Sequence, residues 1–476
     1  MHKDPAHPVL CCAPTLPMAN HLRFESGTIV ATQRPEGHDR LKELLVWDER
    51  TRLYRTAAHN YRALVLYLTH HQLEFVDNAR QFERIALPLQ QPLKPFPHQA
   101  AALKAWVGAG CTGIVELPTG AGKTILAVMA IARVGRPTLI VVPTIDLMLQ
   151  WQTVLGKWFD QPIGLLGGGN KDRQQITVTT YDSAAFQTEF HGNRFGLLVC
   201  DECHHLPAPA YQFIASGSLA PFRLGLTATL DRTDGGEATA KSLLGPVRYR
   251  AAIDELEGKY LAPYDIRTVH VELTEEEQAR YEECRGRYID FLRGSGVDLS
   301  KPDGWGQFII RCHRSDEGRE AFACYREQRR IALTSSGKLE ALWQILRRHH
   351  NDRILVFTED NETVYRLSTL LLLPAITHQT RGSERKALLA AFASGELPVL
   401  VTARVLNEGV DVPDANVGVI LSGSGSVREH VQRLGRILRK RPDKRAVLYE
   451  VCTEVAAENR ISERRRQHRA YQKVYA

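Results

Sequence analysis

The sequence lacks the long apolar segments that would place it in or across a membrane. No stretch approaches the roughly 18 uninterrupted apolar residues that a spanning helix needs. The opening stretch "MHKDPAHPVLCCAPTLPMAN" has no apolar core of the kind that a signal peptide carries, and we expect a disordered lead-in over residues 1–19. Short-period repeats and low-complexity tracts are also missing, which argues against a repeat architecture.

The cysteines are few and are not spaced as a disulfide framework would require. The chain has 9 cysteines, an odd number, scattered without regular spacing. Secreted domains held by disulfides have paired and regularly spaced cysteines, so we expect a reduced, cytoplasmic protein. Haem is normally attached covalently after a protein has been exported, so a covalently bound haem fits this chain poorly.

Size and charge set the broad class. At 476 residues the chain exceeds what a single core can organise, and two to four domains are expected. A hydrophobic content of 43% and a charged content of 24% are ordinary for a globular protein. The net charge of +7 and the pI near 8.9 suit a polyanionic partner, although solubility alone would also account for them.

Two blocks of alternating apolar runs and helix-like segments flank a charged helical stretch. Runs such as "TGIVELP", "PTLIVVP" and "FGLLVCDE" are typical of buried parallel strands, and the segments between them are typical of covering helices. We therefore predict an α/β fold with two tandem parallel-sheet domains. The predicted order is a lead-in (1–19), a small α/β domain (20–90), a first sheet domain (91–255), a second (256–455) with a helical insertion at about 272–335, and a basic tail (456–476).

The stretch "VCDECHHL", Val199 to Leu206, allows three interpretations. Cys200, Cys203 and His204 match the C-x-x-C-H pattern of haem attachment. The same two cysteines, together with the two adjacent histidines, could equally form half of a zinc site. Alternatively, Asp201 and Glu202 are the chemically active residues, holding magnesium and activating a water.

A phosphate loop is predicted in "ELPTGAGKT", where a strand passes into a helix. The stretch fits G-x-x-x-x-G-K-S/T loosely, since the first glycine of the pattern is missing at Leu117–Pro118. Small residues there let backbone N–H groups surround phosphate oxygens at a helix N-terminus. Lys123 would reach the β- and γ-phosphates, and the Thr124 hydroxyl would bind Mg²⁺. The expected nucleotide-binding residues of the loop are Thr119, Gly120, Ala121, Gly122, Lys123 and Thr124.

The phosphate loop decides between the three interpretations, because a nucleotide–magnesium site needs an acidic strand end beside the loop. We expect Asp201 to hold Mg²⁺ through water and Glu202 to orient and deprotonate the attacking water. Cysteines in a buried parallel strand act as small hydrophobic residues. No second pair of ligands with zinc spacing stands out, so we expect neither zinc nor haem.

Five motifs in order resemble motifs I, II, III, V and VI of superfamily 2 helicases: "LPTGAGKT", "DECH", "LGLTAT", "LNEGVDVP" and "QRLGRILR". The resemblance runs from about Leu93 to Glu454 and is strongest to XPB-type DNA helicases of archaea and bacteria. It implies RecA-like sheet domains, a damage-recognition-like N-terminal domain and a thumb-like insertion. Gln99 in "PFPHQ" stands where the family reads adenine, although a polar helix-start residue would look the same.

The resemblance assigns further roles, and the second lobe completes the ATP site. Arg436 and Arg439, three residues apart on nearly one helix face, would be arginine fingers, with Gln432 nearby. Gly409 and Asp411 would touch the sugar or the phosphates. The expected coupling residues are His204, which would pair with motif III or VI, together with Thr227, Thr229 and Gln432.

Nucleic-acid contacts are expected from polar strand ends, through hydroxyls and N–H groups that bind phosphates without identifying bases. The candidates are Pro143, Thr144, Thr180, Tyr181, Thr380 and Thr402. The family's Arg-Glu-Asp element, linked to duplex opening, has its counterpart at Arg232-Thr233-Asp234, where the middle acid is missing. Arg232 and Asp234 are retained as candidates, but unwinding strength is in doubt while ATP hydrolysis is not.

These observations predict an ATP-dependent DNA helicase or duplex translocase that uses ATP and Mg²⁺. The expected partners are duplex or forked DNA and a nuclease or other repair protein, with no membrane. Two alternatives stay open, an RNA helicase and a nucleic-acid-binding ATP clamp without turnover. Glu202 argues against the clamp, because a clamp needs no catalytic base.

Overall fold

The computed structural model describes residues 20–230, 235–301, 303–403, 414–421 and 445–453. Three sheets follow one another along these ranges. Two of them are extended parallel sheets, which confirms the expected α/β fold class with two tandem parallel-sheet lobes. None of the helices in the described ranges has the length and apolarity required to cross a membrane.

The N-terminal module is a five-stranded sheet with two helices against it, in the strand order β3-β4-β2-β1-β5. Its elements are β1 (Asn20–Glu25), β2 (Thr28–Ala31), α1 (Asp39–Leu44), β3 (Val46–Asp48), β4 (Leu53–Ala57), α2 (Tyr61–His70) and β5 (Phe75–Asn78). Side chains from α1, α2 and the sheet form one core, including Leu22, Ile29, Leu41 and Leu64. The stretch "ELLVWD" ends a helix at Leu44 and begins a strand at Val46.

The first lobe is an eight-stranded sheet in the order β13-β6-β12-β11-β7-β10-β8-β9, parallel except for the β8–β9 pair. The strands are β6 (Thr112–Glu116), β7 (Thr138–Val142), β8 (Ile163–Gly167), β9 (Asn170–Asp172), β10 (Ile176–Thr180), β11 (Leu197–Asp201), β12 (Phe222–Thr227) and β13 (Val247–Arg250). The helices are α3 (Pro97–Gly108), α4 (Lys123–Val134), α5 (Ile145–Leu155), α6 (Tyr181–His191), α7 (Gln212–Ser216), α8 (Gly236–Leu244) and α9 (Ile253–Leu256). Apolar clusters cover both faces, as a central parallel sheet requires.

The second lobe is a six-stranded parallel sheet in the order β14-β19-β18-β15-β17-β16. Its strands are β14 (Tyr264–Val271), β15 (Ile354–Phe357), β16 (Ala375–Ile376), β17 (Val399–Thr402), β18 (Val417–Ile420) and β19 (Ala446–Thr453), and its helices are α13 (Ser336–Arg348), α14 (Asn361–Leu371) and α15 (Gly382–Ser394). Between β14 and α13 the chain forms the thumb, three helices named α10 (Glu275–Ser295), α11 (Gly304–Cys312) and α12 (Asp316–Thr334). The thumb has an aromatic core of its own around Phe308.

The N-terminal module packs against the amino-terminal edge of the first lobe's sheet. Arg62 Nη1 donates to the carbonyl of Gly110 at 2.7 Å and to that of Pro221 at 3.1 Å. Asn193 Nδ2 donates to the carbonyl of Ala79 at 2.9 Å. Gly110, Asn193 and Pro221 precede β6, β11 and β12, so the module lies at the edge opposite the carboxyl ends of these strands.

Candidate nucleotide site and nucleic-acid face

The phosphate loop lies between β6 and α4, at the carboxyl edge of the first sheet. Gly120 and Gly122 have φ values of +87° and +85°, the left-handed region that glycine enters at low cost. A Cβ at Gly122 would lie 2.1 Å from Gln99 Nε2. The first turn of α4 carries no acidic residue, so its N-terminal N–H groups and dipole favour an anion.

Lys123 is held by the predicted catalytic base. Its Nζ donates to Glu202 Oε1 at 3.0 Å, and the two side chains are only 11% and 13% exposed. Glu202 has a φ of +46°, an unusual conformation for a residue with a side chain, at the turn that follows β11. The structure therefore brings the two central residues of the predicted site together, in a contact that a triphosphate would have to replace.

Asp201 is buried beside Glu202. Its Oδ2 accepts a hydrogen bond from Trp151 Nε1 at 2.9 Å, and its Oδ1 accepts from the N–H of Glu202 at 3.0 Å. Burial and the neighbouring Glu202 charge raise the pKa of the Asp201 carboxyl above its usual range, with Lys123 acting against them. The Asp201 carboxylate and the Thr124 hydroxyl, in the first turn of α4, are oxygen donors of the kind that Mg²⁺ prefers, so these residue types fit the ion that the prediction requires.

The neighbouring thiols belong to the core. Cys200 and Cys203 are fully buried, and burial raises the pKa of the Cys200 thiol to about 12. A thiol held neutral is a poor metal ligand. Within the described ranges, no group of three or more histidine, cysteine or acidic side chains could hold a metal ion.

A chain of polar contacts leads from Glu202 to the end of β12. His204 Nδ1 lies 3.5 Å from Glu202 Oε2 and 3.1 Å from Thr227 Oγ1. Thr227 Oγ1 in turn donates to the carbonyl of Thr229 at 2.7 Å. The N–H of Leu117 donates to the carbonyl of Thr227 at 3.0 Å, which joins this segment to the strand before the phosphate loop. His204 thus pairs with motif III, one of the two partners that the sequence left open.

Gln99 supports the phosphate loop in the structure. Its Oε1 accepts from the N–H of Phe96 at 2.9 Å, and its Nε2 donates to the carbonyl of Ala121 at 3.2 Å. His98 Nε2 donates to the same carbonyl at 2.8 Å, a contact that the sequence reasoning missed although the two residues are adjacent. Contact of Gln99 with adenine stays a prediction, since its amide is turned to the loop.

The strand-end hydroxyls cap helices. Thr144 Oγ1 accepts from the N–H of Leu147 and caps α5, while Thr180 Oγ1 accepts from the N–H of Ser183 and caps α6. Thr380 Oγ1 accepts from the N–H of Thr377 in the turn after β16. Pro143 is half-buried beside Thr144. These four candidates lie where parallel strands end, which is compatible with phosphate contact.

The side chains of two further nucleic-acid candidates point inward. Tyr181 is buried, and its hydroxyl donates to the carbonyl of Asp201 at 3.0 Å. Thr402 is fully buried, and its hydroxyl donates to the carbonyl of Ala403 at 3.1 Å. Both side chains hold backbone carbonyls inside the protein, and contact of these two residues with a strand stays a prediction.

The remaining predicted residues lie outside the described ranges. They are Arg232 and Asp234 of the triplet after motif III, Gly409 and Asp411 of motif V, and Gln432, Arg436 and Arg439 of motif VI. The second lobe's half of the ATP site therefore stays a prediction.

Comparison with known proteins gives the family. Family models match for the Xeroderma pigmentosum group B helicase damage recognition domain over residues 22–79, the type III restriction enzyme res subunit over residues 92–232, and the helicase conserved C-terminal domain over residues 337–441. The chain is 40% identical to the DNA 3'-5' translocase XPB2 of Sulfurisphaera tokodaii over 94% of this chain and 100% of the relative. The chain belongs to the XPB family of helicases.

Other members of the XPB family are longer than this chain. The DNA 3'-5' helicase XPB of Mycobacterium tuberculosis is 34% identical over 70% of this chain but only 56% of its own length. The Hef helicase domain of Pyrococcus furiosus, a solved structure, superposes with a TM-score of 0.53 at 20% identity, covering 76% of this chain and 97% of that one. That likeness shows the fold of the tandem lobes alone.

A basic groove separates the thumb from the second lobe in this XPB-family chain. It encloses about 380 Å³ between α12 and α14. Arg326 pairs with Glu362 at 2.9 Å across it, and Arg329 pairs with Glu359 at 3.2 Å. Burial and the nearby Arg330 charge lower the pKa of the Arg366 guanidinium. This groove could not be predicted from the sequence, because its residues come from two elements that are separate in the chain.

Proposed function

We propose that this chain is an ATP-dependent DNA translocase or helicase. The observation that carries the proposal is the Lys123–Glu202 pair beside a glycine-lined loop at the start of α4. A phosphate-binding lysine and an acid that can accept a proton from water are the two groups that hydrolysis of a γ-phosphate requires from the first lobe. The printed names of its relatives, a DNA 3'-5' translocase and a DNA 3'-5' helicase, support DNA as the substrate and 3'-to-5' as the direction.

Binding of ATP would exchange the partner of Lys123. The Lys123 ammonium lies 3.0 Å from Glu202 Oε1 and offsets its negative charge. A triphosphate in the loop attracts the ammonium to its oxygens, which frees the Glu202 carboxylate to accept a proton from water. This exchange of partners would link the availability of the base to the arrival of the substrate.

Mg²⁺ is part of the proposal, with Asp201 and Thr124 as the residues that would hold it. When bound, the ion supplies positive charge to the β- and γ-phosphates. The hydrogen bonds from Trp151 and from the N–H of Glu202 fix the Asp201 carboxylate in place. Asp201 thus presents its oxygens in one orientation, which a metal ligand requires.

The second lobe would complete the site through Arg436 and Arg439 of motif VI, with Gln432, Gly409 and Asp411 nearby. Loss of the γ-phosphate would remove what holds the lobes together. The chain of contacts from Glu202 through His204 to Thr229 would pass that change to the nucleic-acid face. Duplex or forked DNA, a nuclease or other repair partner, and a reducing cytoplasmic setting are the finer parts of the proposal.

The test is an ATPase assay with duplex DNA, single-stranded DNA, RNA or no nucleic acid. We expect DNA to stimulate hydrolysis, and Lys123→Ala or Glu202→Gln to reduce the rate by about 10³-fold or more. Lys104→Ala, which removes an exposed lysine on α3, is the matched control and should keep the full rate.

Three outcomes would contradict the proposal. Equal rates with and without nucleic acid would exclude a translocase. Stronger stimulation by RNA would favour the RNA helicase. Tight ATP binding without phosphate release by the unaltered protein would favour the clamp.

A further inference from the structure

An ion pair joins the two lobes on the nucleic-acid face. Arg385 Nη1, in the first turn of α15, lies 2.9 Å from Asp146 Oδ2, in the first turn of α5. The Arg385 side chain is 18% exposed and that of Asp146 is 36% exposed. A pair this far from full exposure is screened less than a surface pair and contributes to the resting arrangement of the lobes.

Both residues lie beside expected phosphate contacts. Asp146 follows Thr144, the cap of α5, by two residues. Arg385 Nη2 donates to the carbonyl of Thr380 at 3.3 Å, in the turn after β16. The ion pair therefore connects the candidate contact site of one lobe to that of the other, where a strand would cross between the lobes.

Asp146 accepts a hydrogen bond from only one nitrogen of the Arg385 guanidinium. A guanidinium has five N–H donors in a planar fork, and a phosphate or carboxylate can take two of them side by side. Here Nη1 donates to Asp146 and Nη2 to Thr380. Nε is buried and has no hydrogen-bond partner among the described residues. A ligand with more oxygens than Asp146 presents to this fork would satisfy Arg385 better.

We propose that Arg385 binds a backbone phosphate of the DNA strand, and that Asp146 occupies Arg385 when no strand is bound. The inference rests on the proposed function and adds one contact residue and one competing carboxylate to it. An arriving phosphate takes the guanidinium, and the released Asp146 turns away from the like charge. Strand binding thereby breaks an inter-lobe contact and lets the lobes take up a new relative position.

The competition is tested by the equilibrium binding of a fluorescent oligonucleotide without ATP, measured by anisotropy over a range of salt concentrations. Asp146→Asn removes the competitor and should lower the Kd several-fold. Arg385→Gln removes the contact and should raise the Kd by about tenfold. The slope of log Kd against log salt concentration should fall by the amount that about one phosphate contact contributes. Competition predicts opposite shifts from the two halves of the ion pair, and a variant with the two residues exchanged, which keeps the net charge, distinguishes competition from a general effect of charge.

Two further variants separate the contact from general charge and from folding. Lys386→Gln removes an exposed positive charge next to Arg385 and should change the Kd much less than Arg385→Gln. The exchanged pair, Asp146→Arg with Arg385→Asp, restores opposite charges between the lobes but presents a carboxylate from α15. It should keep the melting temperature of the unaltered protein and bind DNA more weakly.

The proposal fails if both single variants shift the Kd in the same direction, or if neither shifts it while the unaltered protein binds DNA. Weakening by Lys386→Gln equal to that by Arg385→Gln would also overturn it. Absence of DNA binding by the unaltered protein would instead refute the proposed function, and with it this inference.

Discussion

At the residue scale, Thr227 links the nucleotide site to the segment after β12. Its hydroxyl donates to the carbonyl of Thr229 and therefore accepts from His204 Nδ1, which fixes the proton of the imidazole on that nitrogen. His204 also lies beside Glu202. One buried hydroxyl thus sets the orientation of the histidine that touches Glu202, the proposed catalytic base.

Removing that hydroxyl should reduce the response to DNA. Thr227→Val keeps the shape of the side chain but removes both hydrogen bonds, at an expected cost of about 1–3 kcal/mol in the free energy of unfolding. We expect basal ATP hydrolysis to persist and the stimulation by DNA to fall several-fold, measured as the ratio of rates with and without DNA.

Thr179→Val is the matched control for this change. Thr179 is also buried in the first lobe, and its hydroxyl donates to the carbonyl of Leu166 at 2.7 Å, away from the nucleotide site. It should lower stability while leaving the stimulation ratio unchanged. The same loss of stimulation in both variants would show that the effect comes from stability and not from the link.

The sequence predicted the central residues of the site because strand direction constrains them. Lys123 and Glu202 follow the carboxyl ends of two parallel strands, and such ends meet at one edge of a sheet. It could not predict that the two residues would pair, since that depends on side-chain conformation. Nor could it predict that the Tyr181 and Thr402 hydroxyls turn inward, because a polar residue at a strand end can face either a ligand or a buried carbonyl.

At the element scale, Arg223 organises the amino-terminal edge of the first sheet. It is 6% exposed, on β12, and burial lowers the pKa of its guanidinium to about 10. Its nitrogens donate to the carbonyls of Ala215, Ser218, Ala220 and Leu243. These bonds hold the end of α7, the loop before β12 and the end of α8 together.

Replacing Arg223 should therefore destabilise the lobe strongly. Arg223→Met retains much of the apolar volume but leaves four carbonyls without their donor, and we expect a loss of about 4 kcal/mol or more in the free energy of unfolding. Denaturation in urea measures it. Arg133→Met, on the exposed side of α4, should change that free energy by less than about 0.5 kcal/mol. A similar small change for Arg223→Met would show that the loops hold together without it.

Two strands that could not be predicted from the sequence, β14 and β8, lack an uninterrupted apolar run. β14 carries polar and charged residues between its apolar ones, because it is an edge strand with one solvated side. β8 contains Gly164 and is followed by Gly168 and Gly169, so its apolar run was hard to distinguish from a loop. The central strands β7 and β11 were predicted because they are buried on both faces and are almost continuously apolar.

At the scale of the whole molecule, the contact between the N-terminal module and the first lobe should depend on pH. His59 lies in that contact, with Nδ1 3.4 Å from the carbonyl of Ser216. Burial and the nearby Arg223 charge lower the pKa of the His59 imidazole below its ordinary 6.5. The neutral ring is favoured in the folded state, so its contribution to stability is present above pH 6.5 and is lost as the pH falls through the lowered pKa.

The measurement is the free energy of unfolding at about pH 7.5 and about pH 5.5. The unaltered protein should lose stability towards the lower pH, and His59→Gln should lose less, because glutamine has no charged form. His70→Gln, which changes an exposed histidine of α2, should follow the unaltered protein. An identical pH dependence in all three would exclude His59 as the titrating group.

The order of the domains could be predicted from alternation along the chain, but their mutual contacts could not. The Arg385–Asp146 pair joins residues 239 positions apart, and nothing in either local stretch indicates the other. The attachment of the module through Arg62 to Gly110 and Pro221 is equally invisible in sequence, since main-chain carbonyls are common to all residues.

That attachment has a mechanical consequence for a motor. The module and the proposed nucleotide pocket lie at opposite ends of the same strands, so the module would move together with the first lobe that it contacts. If the chain advances along DNA as proposed, each step of the first lobe would move the outer surface of the module along the duplex ahead of it or behind it. An obstacle on the DNA that blocks the module would then also block the movement of the first lobe, and with it ATP turnover.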